Sequence, residues 1–284
     1  MSESSGNQAM PVVAHEAPRA LRIAAGLSRC LPPLPHMSCV GNRILKPLFA
    51  RRSSRSYILP VWPGQRMLLD PSDCIGGNLT FAPQLYDRWE RQAMRALLPA
   101  RGTFVDVGAN VGAYALWAAR CVGTGGRVLA IEADPLNFAA LEQNIGLNNL
   151  ANVVDACQAG ASDREEVRIL SRNVTGNCGG HSFVGTGRDG VAVTCRPLRD
   201  ILAEHVIPSV DMMKVDIEGF ELTVLRRFFG DVGVGSPLRP RYLLVETTGG
   251  PGGVESASEL LDFLQAEGYA MLRSDSNALL ERVR

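Results

Sequence analysis

The sequence predicts a doubly wound α/β fold built on a mostly parallel sheet. A short apolar run at 103–107 ends in a glycine-containing turn and passes directly into a helical segment. A second apolar run, 127–133, contains the lone carboxylate Glu132 near its end. Strand-like and helical segments then alternate to the C-terminus. Because parallel strands end at the same edge of a sheet, we expect the functional side chains to gather there.

The individual elements follow from periodicity and from helix start and stop residues. Asp134 is predicted to cap a helix whose first residue is Pro135. A hairpin is expected to pair 167–170 with 191–195. The parallel strands are predicted at 103–107, 127–133, 153–158, 211–216 and 242–246. An antiparallel pair at 270–273 and 278–283 closes a seven-stranded sheet, and further helices are predicted at 110–121, 197–205, 220–229 and 255–267.

Three regions are expected along the chain: an N-terminal extension at 1–64, a cap or lead-in segment at 65–100, and the catalytic domain at 101–284. Within the extension, 1–16 is polar and expected to be disordered, and 17–30 is expected to form a short amphipathic helix. The basic, proline-rich remainder of the extension is interpreted as a solvated linker; a membrane-surface or acidic-substrate patch is the alternative. The lead-in is predicted to contain a strand at 66–70 and a helix at 83–98.

Composition restricts the class of partner and compartment. The formal net charge is zero, which gives no electrostatic case for nucleic acid. No apolar stretch is long enough to span a membrane, and the N-terminus lacks the pattern of a secretory signal. The seven cysteines are an odd number without a Cys-x-x-Cys pair, which favours buried thiols in a reducing cytoplasm, so a cytoplasmic location is expected. Cys178 and His181 have metal-like spacing but no second pair, and no metal site is predicted from them.

The glycine turn discriminates between nucleotide cofactors. A dinucleotide-binding turn requires glycine at 108, 110 and 113, whereas this chain has Gly108, Asn110 and Ala113. A nicotinamide oxidoreductase is therefore disfavoured. The pattern present, Asp106-x-Gly108-x-x-x-Gly112, is typical of class I S-adenosylmethionine methyltransferases, in which backbone N–H groups hold the amino-acid end of the cofactor.

Longer segments resemble the FkbM family of S-adenosylmethionine-dependent methyltransferases between about Tyr86 and Tyr269. The matching segments are 104–112, 131–138, 144–148, 161–163, 214–221 and 244–246, with a looser match at 85–90. The resemblance implies a class I, Rossmann-like methyltransferase fold and S-adenosyl-L-methionine as cofactor. It also implies O-methylation of a hydroxyl on a small molecule, such as a polyketide-like natural product, or on a sugar.

The predicted cofactor site combines the glycine turn with residues at the ends of the next strands. Glu132 is expected to accept the ribose hydroxyls, since it lies about 20 residues after the turn. The resemblance places Ser162 or Asp163 near the adenine amine, although an Asx turn would also explain this pair. The complete predicted set is Glu90, Asp106, Gly108, Ala109, Asn110, Gly112, Glu132, Ala133, Ser162, Asp163 and Asp216.

The fourth parallel strand carries the predicted catalytic residues. Lys214, Asp216 and Glu218 point to one side of an extended segment, and a lysine in an apolar strand requires a partner. We therefore expect a buried ion pair of Lys214 with Asp216 or Glu218, which could be purely structural. The catalytic set is Asp216, Lys214 and His181, and the candidate bases for an alcohol acceptor are Asp216, His181 and Glu246. A metal site with Asp216 and Glu218 is possible, but their spacing is not diagnostic and none is predicted.

Two other functions remain open at this stage. A methyltransferase-like protein could bind the cofactor or a partner without turnover, and an enzyme could methylate nitrogen or carbon instead of oxygen. The acceptor pocket is expected from the N-terminal cap, the 171–190 loop and 247–253, which do not identify the acceptor. The N-terminal segment could also mediate a homodimer.

Overall fold

The computed structural model describes residues 12–30, 55–171, 190–247 and 256–283. Within the described residues, the N-terminal part contains a small sheet in the order β1–β2–β3 and three helices. Its elements are β1 (Ala14–His15), α1 (Arg19–Cys30), β2 (Ser56–Pro60), β3 (Arg66–Leu69), α2 (Cys74–Phe81) and α3 (Arg88–Leu97).

This part differs from the sequence-based expectation in four places. Ala14–His15 pairs in parallel with β2, so the expectation of disorder up to residue 16 is wrong there, and residues 56–60 form a strand instead of a linker. The single helix expected at 83–98 is shorter and begins at Arg88. It is preceded by α2, which the sequence analysis missed. Asp73 starts α2 by accepting a hydrogen bond from the Gly76 N–H.

The second half of the chain supplies the main sheet and its helices. Its elements up to the hairpin are β4 (Thr103–Val107), α4 (Ala113–Val122), β5 (Arg127–Glu132), α5 (Pro135–Leu147), β6 (Val154–Gln158), β7 (Gly160–Ser162), β8 (Glu166–Ser171) and β9 (Gly190–Pro197). Those after it are α6 (Leu198–Glu204), β10 (Met212–Val215), α7 (Glu221–Val232), β11 (Tyr242–Glu246), α8 (Ala257–Ala266), β12 (Tyr269–Ser274) and β13 (Asn277–Arg282).

The main sheet has seven strands in the order β12–β13–β11–β10–β4–β5–β6. All neighbours from β11 to β6 are parallel, and β13 runs antiparallel to both β11 and β12. The predicted fold class and the closing antiparallel pair are therefore confirmed. The strand order reverses between β4 and β10, which is where open α/β sheets bind their ligands.

Alternating side chains of the central strands enter two separate hydrophobic cores. In β4, Phe104 packs in the core that contains residues of α4, whereas Val105 and Val107 pack in the core that contains residues of α7. In β10, Met212 belongs to the first core and Met213 to the second. Helices therefore cover both faces of the sheet, as the doubly wound prediction requires.

The remaining strands form a three-stranded sheet in the order β7–β9–β8. The predicted hairpin is confirmed, with Val167 opposite Thr194 and Leu170 opposite Val191. The parallel strand β7 beside β9 was missed, because three residues are too few to show periodicity. Across the described ranges, no helix has the length and apolar character needed to cross a membrane.

Candidate active site

The turn between β4 and α4 bends through left-handed backbone conformations. Gly108, Asn110 and Gly112 have φ angles of 85°, 51° and 93°, and asparagine tolerates this region better than most residues. A Cβ at Gly108 would lie 1.9 Å from the carbonyl oxygen of Asp216. The close approach that requires glycine here is therefore to the end of β10, in addition to any approach of a ligand.

Glu132, at the end of β5, joins two turns beside this site. Its carboxylate accepts hydrogen bonds from the N–H of Asn110 at 2.7 Å and from the N–H of Asp134 at 2.8 Å. The residue is 7% exposed, and this burial raises its pKa to about 7. The Asn137 side chain also hydrogen-bonds this carboxylate. Three hydrogen bonds leave about one acceptor position on a carboxylate, so Glu132 can still receive a ribose hydroxyl.

A first cavity opens at the switch point and brings together five predicted cofactor residues: Gly108, Asn110, Glu132, Ala133 and Asp216. Its lining also combines apolar side chains, small residues and polar groups. This mixture suits a nucleoside with a charged tail, because the apolar wall can hold a base and the acid can hold a ribose. The donor set therefore fits the expected cofactor. The remaining lining residues are Val107, Ile131, Asn137, Ala159, Gly160, Ala161, Leu170, Ile217 and Glu218.

Lys214 is the charged residue of β10 and lies on the Phe104 face of the sheet. Its Nζ is 2.7 Å from Oδ2 of Asp216, and 4.6 Å from the ring centroid of Tyr114. Its Cα pairs in register with Asp106 of β4. The ion pair predicted for Lys214 is therefore made with Asp216.

The charges of Lys214, Asp216 and Asp106 shift one another's pKa values. Burial alone would lower the pKa of Lys214, but the carboxylates of Asp216 and Asp106 raise it above its usual value. Burial acts against ionised Asp216 as well, yet Lys214 holds the pKa of that carboxyl below its ordinary value. Burial raises the pKa of Asp106, which is 1% exposed, to about 6. The ion pair therefore keeps Asp216 ionised at neutral pH.

A second cavity, of about 170 Å³, adjoins the first. It shares Gly108, Asn110, Asp216 and Glu218 with the first cavity. Its other lining residues come from the lead-in, the β4–α4 turn and helix, β10 and the end of β11: Ile75, Tyr86, Ala109, Val111, Ala113, Tyr114, Lys214 and Glu246.

Sequence analysis did not single out the aromatic residues of this second cavity. Tyr86 lies in the loosely matched 85–90 segment, and Tyr114 is in the first turn of α4. Tyr114 donates a hydrogen bond to Asp87 at 2.9 Å, which ties the lead-in to the core. The only signal for Tyr86 was the segment match, and an aromatic residue inside a helix usually indicates core packing.

Three carboxylates meet at the boundary of the two cavities. Ligand oxygens of Asp216, Glu218 and Glu246 all lie within 4.8 Å of one another. Such a group could hold a cation, and it could equally share protons, since like charges this close disfavour full ionisation. We assign no metal site on the cluster alone.

In the described part of the chain, five predicted residues do not line either cavity: Glu90, Asp106, Gly112, Ser162 and Asp163. Glu90 is buried and accepts a hydrogen bond from Asn277 at 3.1 Å. The Ser162 hydroxyl lies within hydrogen-bonding distance of Glu166, at 3.1 Å. Their cofactor contacts stay predictions, and His181 lies outside the described residues.

Comparison with known proteins gives a family match over more than half of the chain. The family model described as "Methyltransferase FkbM domain" matches residues 106–271. This range contains both the glycine turn and the acidic end of β10. It agrees with the resemblance drawn from the sequence.

Individual relatives are more distant. The chain is 28% identical over 163 residues to "Methyltransferase sdnD" of Sordaria araneosa, covering 46% of this chain and 62% of that protein. It is 27% identical over 152 residues to "Methyltransferase 1" of Beauveria bassiana (strain ARSEF 2860), covering 46% and 60%. The chain thus spans about three fifths of the length of these curated relatives. Among solved structures, an O-methyltransferase from Bacillus cereus in complex with SAH has a TM-score of 0.46 at 12% identity, covering 92% of this chain and 97% of that one.

Proposed function

Because the chain belongs to the FkbM methyltransferase family, whose cofactor is S-adenosylmethionine, we propose that it methylates a hydroxyl of a small molecule or sugar. One observation carries this proposal. The cavity that fits the cofactor and the adjacent cavity share Asp216 and Glu218. Methyl transfer requires donor and acceptor to meet in line, and a shared boundary between two cavities supports the proposal that they meet there.

The bound cofactor supplies an activated methyl group on a sulfonium, so the protein contributes mainly positioning and exclusion of water. Asp216 is proposed to lie beside the sulfonium end, held by Lys214. Glu132 is proposed to hold the ribose, and the β4–α4 turn the amino-acid end. His181 is retained as a catalytic candidate from the sequence.

The acceptor class is proposed from the chemistry of the second cavity. Tyr86 and Tyr114 give it aromatic walls, and the carboxylates at its boundary can take the proton that an alcohol or phenol must lose. The same carboxylates would also favour an amine, which makes N-methylation the second candidate. A protein that binds the cofactor without turnover is the third.

The first experiment is calorimetric binding of S-adenosylhomocysteine, with NAD as a control ligand. We expect binding of S-adenosylhomocysteine and none of NAD. Glu132→Gln should weaken binding by about 1–3 kcal/mol, because it disturbs the ribose acceptor. Glu142→Gln is the matched control, since Glu142 is an exposed carboxylate on the neighbouring helix α5.

The second experiment tests turnover. The protein is incubated with S-adenosylmethionine and a panel of phenols, polyketide lactones, glycosides and amines, and methylated products are detected by mass spectrometry. Products from the hydroxyl members support the proposal, and products from amines alone replace it with N-methylation. Binding of S-adenosylhomocysteine without any product favours the non-catalytic alternative.

A further inference from the structure

Glu218 occupies the place where donor and acceptor must meet. It lines both cavities, whereas Glu246, the other carboxylate near it on a separate strand, lines only the second. Lys214 and the two tyrosines also line only the second cavity. Of the three clustered carboxylates, Asp216 and Glu218 are therefore the two that reach both sides of the boundary.

The backbone at Glu218 is held in an unusual conformation. Its φ angle is 57°, in the left-handed region that disfavours residues with a side chain, and Gly219 follows with a φ angle of 101°. Glu221 fixes this turn, because its carboxylate accepts hydrogen bonds from the Ile217 N–H at 2.8 Å and the Gly219 N–H at 3.0 Å. Glu218 thus has a strained backbone conformation that hydrogen bonds to both of its neighbours hold in place. Such a conformation is typical of a functional position.

The two boundary carboxylates differ in their electrostatic partners. Asp216 already accepts a charged hydrogen bond from Lys214, which makes it a weak proton acceptor. Burial first, then the charges of Asp216 and Glu221, raise the pKa of Glu218 to about 7, and Lys214 opposes this shift. Glu246, from β11, also faces Glu218, with carboxylate oxygens of the two residues within 4.8 Å of each other. Glu218 is thus the carboxylate suited to exchange a proton near neutral pH.

We propose that Glu218 is the general base that accepts the acceptor's hydroxyl proton during methyl transfer, an inference that rests on the proposed function. The oxygen–hydrogen bond of the acceptor breaks and its proton passes to the Glu218 carboxylate. The acceptor oxygen forms a bond to the methyl carbon as the carbon–sulfur bond of the cofactor breaks. The products are the methyl ether, neutral S-adenosylhomocysteine and protonated Glu218.

The position of Glu218 can be tested without knowing the acceptor. Sinefungin carries an ammonium-bearing carbon in place of the methylated sulfur, so its amine occupies the region of the transferred methyl. A carboxylate facing that region should favour sinefungin over S-adenosylhomocysteine. We expect Glu218→Gln to reduce this preference about tenfold, the size of one charge-assisted hydrogen bond, while affinity for S-adenosylhomocysteine stays similar.

Glu246→Gln is the matched control for this experiment. The same change in a carboxylate that lines only the second cavity should reduce the sinefungin preference much less. In the wild-type protein the preference should increase as pH rises through about 7, since Glu218 ionises there, and Glu218→Gln should abolish that increase. An unchanged preference and pH dependence in Glu218→Gln, with S-adenosylhomocysteine still bound, would overturn the inference.

Turnover supplies the second readout. With the first hydroxylated compound that the panel shows to be methylated, Glu218→Gln should lower kcat by about 10²-fold or more with little change in KM. In the wild-type protein kcat should fall as pH decreases below about 7, where Glu218 becomes protonated, and this fall should be absent in the variant. A variant that keeps wild-type kcat and the same fall contradicts the role. If the wild-type protein binds neither S-adenosylhomocysteine nor sinefungin, the proposed function itself fails.

Discussion

Replacing Lys214 with methionine tests whether its charge stabilises the sheet edge. Lys214 is 3% exposed and interacts with the carboxylates of Asp216 and Asp106, of which Asp106 is also buried. Removing one partner of a buried ion pair typically costs about 3–5 kcal/mol. About one third of the Asp216 side chain is accessible (33%), and solvent screens that part, so we expect a loss of about 2–4 kcal/mol for Lys214→Met.

The unfolding free energy lost in Lys214→Met should depend on pH. In the folded protein the pKa of Asp216 lies below its usual value, so the pair contributes stability above about pH 4 and loses it as pH falls. Without Lys214 both carboxylates are expected to have raised pKa values, which makes the variant relatively more stable in acid. The difference from wild type should therefore shrink between pH 7 and pH 4.5.

Urea unfolding at the two pH values measures this difference. Arg227→Met is the matched control, because Arg227 forms an exposed ion pair with Asp231 four residues along α7. We expect that control to lose less than about 0.5 kcal/mol. A loss below about 1 kcal/mol for Lys214→Met, or an equal loss at both pH values, would refute the electrostatic argument. Combining Lys214→Met with Asp216→Asn should recover part of the stability, and the double-mutant cycle gives their coupling.

Three further outcomes are expected. Gly108→Ala should lose more than about 2 kcal/mol of unfolding free energy in urea, because its Cβ has no room. Gly123→Ala, with φ 69° and open space, should lose only about 1–2 kcal/mol; equal losses would contradict this explanation. Asp134→Ala should destabilise α5 by about 1 kcal/mol, measured in the same way, and no change would mean that the cap is dispensable. Peptide mapping after alkylation at pH 8 should show Cys74 modified well before Cys157, since burial raises the pKa of the Cys157 thiol to about 11.

Much of the core could be predicted because local signals agree with the final packing. The strand at 103–107 has the same bounds in the structure, and Asp134 caps the helix that Pro135 begins, accepting hydrogen bonds from Leu136 and Asn137. Strand periodicity also placed Lys214 and Asp216 on one face. These features depend on residues close together in the chain, so the sequence alone identifies them.

The missed features depend on contacts between distant segments. The short strand β1 is stabilised by pairing with β2, more than 40 residues away, and has no pattern of its own. Tyr114 resembles any aromatic residue in a helix until Asp87 and Lys214 are placed beside it. The requirement for glycine at 108 was predicted. Its close approach to the Asp216 carbonyl oxygen was not, since that contact joins the ends of two strands about 100 residues apart.

The carboxylates around the cofactor cavity differ in whether they hold a backbone turn in place. This difference decides which variants report on ligand binding alone. Glu132 and Glu221 each accept two backbone N–H groups from turns that border the cavity. Substituting either leaves buried donors without an acceptor, which costs stability whether or not a ligand is bound. A weakened affinity in a Glu132 variant therefore combines a lost ribose contact with a displaced turn. Affinity must be compared with the unfolding free energy of the same variant, whereas a Glu218 variant leaves both turns with their acceptors.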